Sequence, residues 1–259
     1  MNRLIAAAFI LPFFIAYIYF LPESYFLGML IAVSMISMKE FCVMYKVPAR
    51  FWAPGILAGG ALFFISCIHP EYFKHAVFIS LFLMLLLRLL SVKTPVGAMS
   101  EIGPLGVGFF YVFGFLAFQW FLRNQDNGWK NIFLLYASVW LADSAAYYIG
   151  TYTGKNKLYP AVSPNKSFEG AFGSVLGGAI GALIIQEIFS IPDFTAVKAL
   201  MIGAILGLAA VTGDLIESMF KRDAGVKDSG NLIPGHGGLL DKIDGVLIAG
   251  PILYLLLYF

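Results

Sequence analysis

Residues 197–244 read VKALMIGAILGLAAVTGDLIESMFKRDAGVKDSGNLIPGHGGLLDKID, and this stretch decides the class of fold. It begins with an apolar run at about 197–215, long enough to cross a ~30 Å hydrocarbon core as a helix. The run leads into the polar segment Ser218–Asp244, and a last apolar run follows at about 241–259. A polar segment between two apolar helices is expected to lie at a membrane surface.

The rest of the chain repeats this apolar pattern. Of its 259 residues, 60% are hydrophobic, 16% are aromatic and only 12% are charged, which is typical of a protein embedded in lipid. The sequence divides into nine apolar runs, at about 4–20, 25–38, 51–68, 73–90, 103–122, 131–149, 169–189, 197–215 and 241–259. It therefore predicts an all-α fold, a polytopic helical membrane protein with about nine transmembrane helices.

Nine helices leave no room for a soluble domain, so 1–259 is predicted to be one integral-membrane domain. Within it, 1–130 provides N-terminal scaffold helices, and 131–259 provides the C-terminal helices that carry the polar chemistry. The first run, MNRLIAAAFILPFFIAYIYF, also has the basic start and apolar middle of a signal peptide. No small-residue cleavage site follows it, which favours retention as a first transmembrane helix.

The basic residues predict the orientation. With nine helices, 13 of the 17 Lys and Arg residues fall on the side that holds the N-terminus and the polar segment, and the other 4 fall opposite. By the positive-inside rule, the N-terminus and the polar segment are cytoplasmic and the C-terminus is outside. We expect a bacterial-type inner (cytoplasmic) membrane. The net charge of +2 then reflects topology and does not indicate nucleic-acid binding.

The polar segment concentrates groups that suit phosphate chemistry. Basic side chains bind phosphate, carboxylates bind Mg²⁺, and glycines let the backbone close around a ligand. All three kinds are present: the cations Lys221, Arg222, Lys227 and Lys242, the carboxylates Asp223, Asp228, Asp241 and Asp244, and the turn His236-Gly237-Gly238. The segment predicts a polar cavity on the cytoplasmic side.

Further acids lie within or beside the apolar runs. Asp143 falls near the end of the sixth run, where an unpaired carboxylate costs roughly 2.5–3.5 kcal/mol and therefore needs a polar cavity or a cation. Asp241 and Asp244 are one helical turn apart. Helical spacing places five further side chains on one face: Asp214, Glu217, Ser218, Lys221 and Arg222. An alternative interpretation is a set of purely structural ion pairs.

The loop after the sixth run supplies a second basic element. Ser163-Pro164-Asn165-Lys166-Ser167 predicts a turn into the next helix, with Ser167 as its N-cap. A helix N-terminus beside Lys166 is a plausible phosphate site. In the two helices that follow, glycines spaced by four predict close packing of helix on helix: Gly173, Gly177 and Gly181, and then Gly203 and Gly207.

These motifs together are similar to a known family. The polar segment contains Ser218-x-x-Lys221-Arg222, Lys227-Asp228-Ser229-Gly230, Pro234-Gly235-His236-Gly237-Gly238, and then Asp241 and Asp244. This order resembles the signature of phosphatidate cytidylyltransferases, also called CDP-diacylglycerol synthases. The resemblance extends upstream through Asp143-Ser144-x-Ala146-Tyr147 and Ser163-Pro164-Asn165-Lys166-Ser167-x-Glu169-Gly170. Two positions depart from the family: Lys242 stands where arginine is usual, and Gly245 where serine is common.

The resemblance implies a nucleotidyltransferase of phospholipid biosynthesis, which converts CTP and phosphatidic acid into CDP-diacylglycerol and pyrophosphate. The implied partners are these two substrates and membrane lipids, without nucleic acid, and a homodimer stays open. The implied cofactor is Mg²⁺, at two cation sites, with Asp214 and Asp241 as metal ligands. The implied catalytic residues are Asp214, Asp241, Lys221, Arg222, Lys227 and His236. The implied substrate-binding residues are Asp143, Ser163, Asn165, Lys166, Ser218, Asp228, Gly235, Gly237, Gly238, Lys242 and Asp244.

Two other classes of function stay open at this point. One is a different lipid enzyme: a divergent paralogue, a CDP-alcohol phosphatidyltransferase or a CTP-dependent kinase of a polyprenol-like alcohol. Asp244-Gly245 lacks the Ala-Arg and the later acids of the phosphatidyltransferase pattern. The other class is an ion-coupled transporter that uses Asp143 and Asp214, although the sequence shows neither paired broken helices nor related halves.

Overall fold

The computed structural model describes residues 12–191, 194–232 and 237–258, and these residues are mostly helical. A 3₁₀ turn at Pro70–Tyr72 precedes the helix that begins at Phe73, and a π-helical segment at Phe109–Gly114 lies between the helices Ala98–Gly108 and Phe115–Arg123. The elements in chain order are α1 (residues 12–20), α2 (Glu23–Met44), α3 (Ala49–Ile68), α4 (Phe73–Ser91), α5 (Ala98–Gly108), α6 (Phe115–Arg123), α7 (Gly128–Thr153), β1 (Lys157–Tyr159), β2 (Ser163–Ser167), α8 (Phe168–Phe189), α9 (Ala196–Asp223) and α10 (Leu240–Tyr258).

Seven helical stretches in the described part of the chain are long and apolar enough to cross a membrane. They are α2, α3, Pro70–Ser91, Ala98–Arg123, α7, α8 and α9. The prediction of an all-α polytopic membrane protein is confirmed at this level. The count of nine stays a prediction, because the described part of α1 covers only 12–20 and α10 begins with three charged side chains in its first five residues.

The C-terminal helices α7, α8 and α9 pack through glycine. A Cβ added at Gly173 would lie 2.9 Å from the carbonyl oxygen of Ala145 on α7, and one at Gly181 would lie 2.7 Å from that of Ala137. The opposite side of α8 meets α9, where Ser174 Oγ donates a 2.9 Å hydrogen bond to the carbonyl of Gly207. The predicted glycine faces are confirmed, because the missing side chains let the helix backbones touch.

The N-terminal helices pack through large side chains. Phe41 of α2, Tyr111 of the π-helical segment and Phe220 of α9 form a triangle of rings with centroid separations of 5.2 to 6.1 Å. Aromatic rings fill a wide space between helices that glycines would leave empty. This triangle joins the N-terminal helices to the helix that carries Asp214.

A β-hairpin replaces the simple turn that the sequence predicted after α7. β1 and β2 are antiparallel, with Lys157 opposite Ser167 and Tyr159 opposite Ser163. The hairpin is too short to show strand periodicity, which is why the sequence pattern missed it. The predicted N-cap is confirmed, since Ser167 Oγ accepts a 3.1 Å hydrogen bond from the Gly170 amide at the start of α8.

Candidate active site

A cavity of about 730 Å³ lies between the ends of α7, α8, α9 and α10 and the hairpin. The side chains around it are mixed: α7, α9, α10 and the hairpin contribute polar groups, whereas α8 contributes Gly170 and Ala171. The lining residues are Asp143, Ala146, Tyr147, Gly150, Thr151, Leu158, Asn165, Lys166, Ser167, Gly170, Ala171, Val211, Asp214, Glu217, Lys221, Asp228, Asp241, Lys242 and Asp244. Acids separated by about 100 residues in the sequence therefore share one space.

Close backbone contact brings the acids of α9 and α10 together. A Cβ at Gly213 would collide with the carbonyl oxygen of Asp244, so only glycine allows α10 to approach α9 at this level. Asp214 follows this glycine directly, and both carboxylates line the cavity. Gly213 was not singled out from the sequence, because its spacing does not continue the glycine series of α9.

The cavity has an excess of acid. Its lining includes six carboxylates and three lysines, and two of the lysines are already paired. Lys166 Nζ lies 2.7 Å from Asp214 Oδ2. Uncompensated negative charge in a confined space is costly and favours the binding of cations. The set of carboxylates therefore suits a ligand that arrives with positive charge.

Lys221 sits between two acids from different helices. Its Nζ lies 2.9 Å from Glu217 Oε2, one turn earlier on α9, and 2.6 Å from Asp241 Oδ1 on α10. Glu217 is almost fully buried, and its second oxygen has no hydrogen-bond partner among the described residues. Glu217 lies on the predicted polar face but was not among the predicted site residues, although its spacing from Asp214 and Lys221 was the available signal.

Asp241 also organises the polar segment itself. Its Oδ2 accepts hydrogen bonds from the Ser229 amide at 2.9 Å, from Ser229 Oγ at 2.8 Å and from the Gly238 amide at 2.7 Å. Gly237, with φ of 85°, adopts a left-handed conformation that favours glycine. The amide of Gly238, predicted to bind phosphate, is thus already bound to a carboxylate.

A residue that sequence analysis assigned to the scaffold joins this loop. Glu40 of α2 is buried, and its two oxygens accept hydrogen bonds from the amides of Leu239 and Leu240 at 2.9 and 2.8 Å. The available signal was a carboxylate interrupting the second apolar run, which needs a specific partner at membrane depth.

The remaining predicted residues divide into three groups. Asp143, Asn165, Asp228, Lys242 and Asp244 line the cavity with the residues above. The described residues Ser163, Ser218, Arg222, Lys227, Gly237 and Gly238 are not part of its lining. Gly235 and His236 lie outside the described residues. The cavity therefore brings together most of the predicted charged groups that the structure describes, with Arg222 and Lys227 as the exceptions.

Arg222 contacts the hairpin and not the cavity. Its Nε donates to the carbonyl of Val162 at 3.2 Å, and one terminal nitrogen donates to the carbonyl of Val226 at 3.1 Å. Ser218 likewise supports a neighbour, because its Oγ donates a 3.3 Å hydrogen bond to Asp214 Oδ1. Both side chains hold parts of the site in position.

The donor atoms match a hard divalent cation. No group of three or more His, Cys, Asp or Glu side chains within the described ranges is already arranged around a single metal position. Nevertheless, the cavity offers carboxylate oxygens from α7, α9 and α10, including the unpartnered Oε1 of Glu217. Mg²⁺ is typically bound by one or two carboxylates together with water and phosphate oxygens, and this donor set fits that requirement.

Comparisons with known proteins identify the family of the chain. A model of the cytidylyltransferase family matches residues 1–259. A phosphatidate cytidylyltransferase of Thermotoga maritima is 31% identical over 262 residues, covering 98% of this chain and 94% of that protein. One of Bacillus subtilis is 38% identical over 183 residues, covering 69% and 67%. One of Staphylococcus epidermidis is 39% identical over 142 residues, covering 55% and 54%, so the matched part spans about half of that relative.

The family match extends beyond the C-terminal motifs on which the resemblance rested. Those motifs lie between Asp143 and Asp244, whereas the match and the Thermotoga maritima alignment include the N-terminal helices as well. The prediction made from the motifs is confirmed: the chain belongs to the cytidylyltransferase family.

Proposed function

We propose that this protein transfers CMP from CTP to phosphatidic acid, giving CDP-diacylglycerol and pyrophosphate. One observation carries the proposal: six carboxylates and three lysines from α7, α9, α10, the hairpin and the loop before α10 surround one cavity of about 730 Å³. Such a cavity suits two polyanionic substrates together with cations. The family assignment and the names of the relatives support the same reaction.

The reaction requires the two phosphates to meet in line. A phosphate oxygen of phosphatidic acid forms a bond to the α-phosphorus of CTP, and the bond from that phosphorus to the oxygen bridging to the β-phosphorus breaks, releasing pyrophosphate. A phosphate monoester is already largely ionised near neutral pH, so no general base is needed. His236 is accordingly proposed as a hydrogen-bond donor to a substrate phosphate.

The lysines are the groups that hold phosphate oxygens. Lys242 is exposed at the cavity and has no ion-pair partner within the described ranges, so its ammonium is free to bind a substrate. Lys166 and Lys221 are held by Asp214, Glu217 and Asp241, which fix their positions. Lys227, which is exposed on the adjoining loop, adds positive charge for substrate approach.

Mg²⁺ fits the acids of this cavity. When bound by carboxylates such as Asp214 and Asp241, it supplies neutralisation of the phosphate oxygens and favours departure of pyrophosphate. The protein's own part is to hold these acids on α9 and α10 at the same level, which the Gly213 contact with Asp244 achieves. Asp143 provides a further carboxylate from α7 for a second cation.

The proposed setting is a bacterial-type inner membrane with the cavity on its cytoplasmic face. Nine transmembrane helices, including α1 and α10, place the C-terminus outside. CTP then arrives from the cytoplasm and phosphatidic acid from the leaflet. A homodimer is compatible with this arrangement, and no nucleic acid is involved.

The activity test uses the purified full chain in detergent with CTP, phosphatidic acid and Mg²⁺. The expected products are CDP-diacylglycerol and pyrophosphate in equal amounts. A CTP-dependent kinase would release CDP instead, and a transporter would leave CTP unconsumed. Either result with folded protein would contradict the proposal.

Orientation is tested with single cysteines in a Cys42→Ala, Cys67→Ala background, since both native thiols are free and buried. A cysteine at the exposed position Lys227 should react only with a reagent on the cytoplasmic side, and one added after Phe259 only from outside. Reaction of both from the same side would contradict the nine-helix topology.

A further inference from the structure

The start of α10 is held by carboxylates from two different parts of the chain. The Gly238 amide binds Asp241 Oδ2, whereas the next two amides, of Leu239 and Leu240, bind the two oxygens of Glu40. The first amides of a helix have no partner within the helix, and its N-terminus carries partial positive charge. Two carboxylates, one from α10 itself and one from α2, therefore bind three consecutive amides at this helix start.

The Glu40 carboxylate is compensated by these backbone amides and not by a cation in the described part of the chain. It is 9% exposed and has no lysine or arginine within ion-pair distance among the residues that the structure describes. A buried carboxylate without a cation needs strong hydrogen bonds to compensate for lost hydration. The two amides and the helix N-terminus provide that compensation, so displacing α10 from α2 would leave the Glu40 charge buried and unpaired.

The loop before α10 is built closely around the same carboxylate. A Cβ at Gly238 would lie 2.6 Å from Glu40 Oε2, and a Cβ at Gly230 would lie 2.9 Å from Glu40 Oε1. Both glycines belong to the polar segment, on either side of residues 231–237. Glu40 thus contacts the loop at two points and fixes where it returns to the membrane.

We propose that Glu40 is a positioning residue of the site: it holds the start of α10 so that Asp241 stays against Lys221 and Ser229. The inference rests on the proposed function for its catalytic consequence. Glu40 is not among the described residues that line the cavity, and therefore it acts through the backbone of residues 238–240. A residue of the N-terminal helices thereby controls the geometry of an acid in the C-terminal site.

The direct test is hydrogen–deuterium exchange at the amides of Leu239 and Leu240 in the full chain. In the wild type these amides should exchange far more slowly than the amide of Lys227, which lies on the exposed part of the loop. Glu40→Gln keeps the side-chain volume but replaces one acceptor oxygen with an NH₂ group. We expect it to accelerate exchange at these two amides about 10- to 100-fold, as loss of a charged hydrogen bond predicts.

Activity provides the second readout. Glu40→Gln should lower kcat for CDP-diacylglycerol formation about tenfold or more while KM for CTP changes less than about threefold, because the substrate contacts remain. Glu23→Gln is the matched control. Glu23 lies at the other end of α2, about 25 Å away by helix rise, and pairs with Arg123 at 3.0 Å. Its variant should keep wild-type exchange at Leu239 and Leu240 and wild-type kcat.

The outcomes separate the two proposals. Fast exchange at Leu239 and Leu240 in the wild type would overturn the positioning role even if Glu40→Gln failed to fold. Wild-type exchange and kcat in a folded Glu40→Gln protein would overturn it as well. A wild type that makes no CDP-diacylglycerol would overturn the proposed function. The positioning role of Glu40 would still be supported if the two amides exchange slowly in the wild type and rapidly in Glu40→Gln.

Discussion

The N-terminal helices at residues 12–123 and the C-terminal helices at 128–258 pack by different means. In the C-terminal part, glycines bring backbones into contact: Gly178 meets the Gly203 carbonyl, and Gly213 meets that of Asp244. In the N-terminal part, rings such as Phe41 and Phe113 fill the space between helices. Backbone contact leaves little freedom of movement, and every described residue that lines the cavity comes from this C-terminal part.

The comparison shows where positional accuracy is needed. Acids that share a cavity must be held within a fraction of an ångström, and helices in backbone contact achieve this better than helices separated by long side chains. The N-terminal part contributes by single contacts instead. Glu40 binds the start of α10, and Tyr111 packs its ring on Phe220 of α9. Variants in the two parts can test whether they differ in this way.

The largest effect is expected at Asp241, where the C-terminal helices meet the polar loop. Asp241→Asn removes the charge opposite Lys221 and disturbs the oxygen that accepts hydrogen bonds from Ser229 and Gly238. Activity should therefore fall more than about tenfold. Asp214→Asn should lower activity by a similar factor. Steady-state formation of pyrophosphate measures this loss. Asp223→Asn is the control, since this exposed acid accepts a hydrogen bond from Tyr45 and does not line the cavity. Retention of more than a tenth of the activity by Asp241→Asn would contradict its role.

The next effect concerns Lys242, where the family usually has arginine. Lys242→Ala should lower kcat/KM by an amount equivalent to about 1.5–3 kcal/mol if its ammonium binds substrate phosphate. Lys242→Arg should preserve or raise activity, because a guanidinium can bind two oxygens at once. Lys74→Ala, at the exposed start of α4, is a matched surface control. An alanine variant within about threefold of wild type for both substrates would remove Lys242 from the site.

Two glycine substitutions test the packing comparison directly. Gly178→Ala places a methyl group against the Gly203 carbonyl and should lower stability by about 1–3 kcal/mol through overpacking. Gly28→Ala on α2 meets nothing within 4 Å and should stabilise its helix by about 0.5–1 kcal/mol. Thermal unfolding in detergent measures both. Equal effects of the two changes would mean that the two halves do not differ in packing.

The smallest effect is expected at Tyr111, the ring that joins the π-helical segment to α9. Its hydroxyl is buried without a hydrogen-bond partner in the described structure, and an unsatisfied hydroxyl costs about 1–3 kcal/mol. Tyr111→Phe should therefore leave stability unchanged or raise it, while activity stays within about threefold of wild type. A clear loss of stability would show that the hydroxyl has a partner that matters.

Much of the candidate site was predictable because local sequence carries its chemistry. Asp214, Lys221 and Asp241 were recognisable as charges beside apolar runs, and the spacing of Asp241 and Asp244 placed both on one helical turn. The contact of Arg222 was not predictable, because its spacing does not reveal that its guanidinium binds the Val162 carbonyl in the hairpin, and its catalytic role stays a prediction. The contacts of Glu40 could not be predicted from the sequence either, because Leu239 and Leu240 lie 199 and 200 positions after it in the chain.

The sequence by itself determined the class and the family: apolar runs must bury their backbone as helices in lipid, and the motifs from Asp143 to Asp244 carry the family signature. Tertiary structure alone decided which charges meet. Whether Lys166 of the hairpin faces Asp214, or Glu40 faces α10, depends on the distances between elements that are far apart in the sequence. Those distances are set by contacts such as that of Gly213 with Asp244, which no local pattern encodes because each partner is supplied by a different helix.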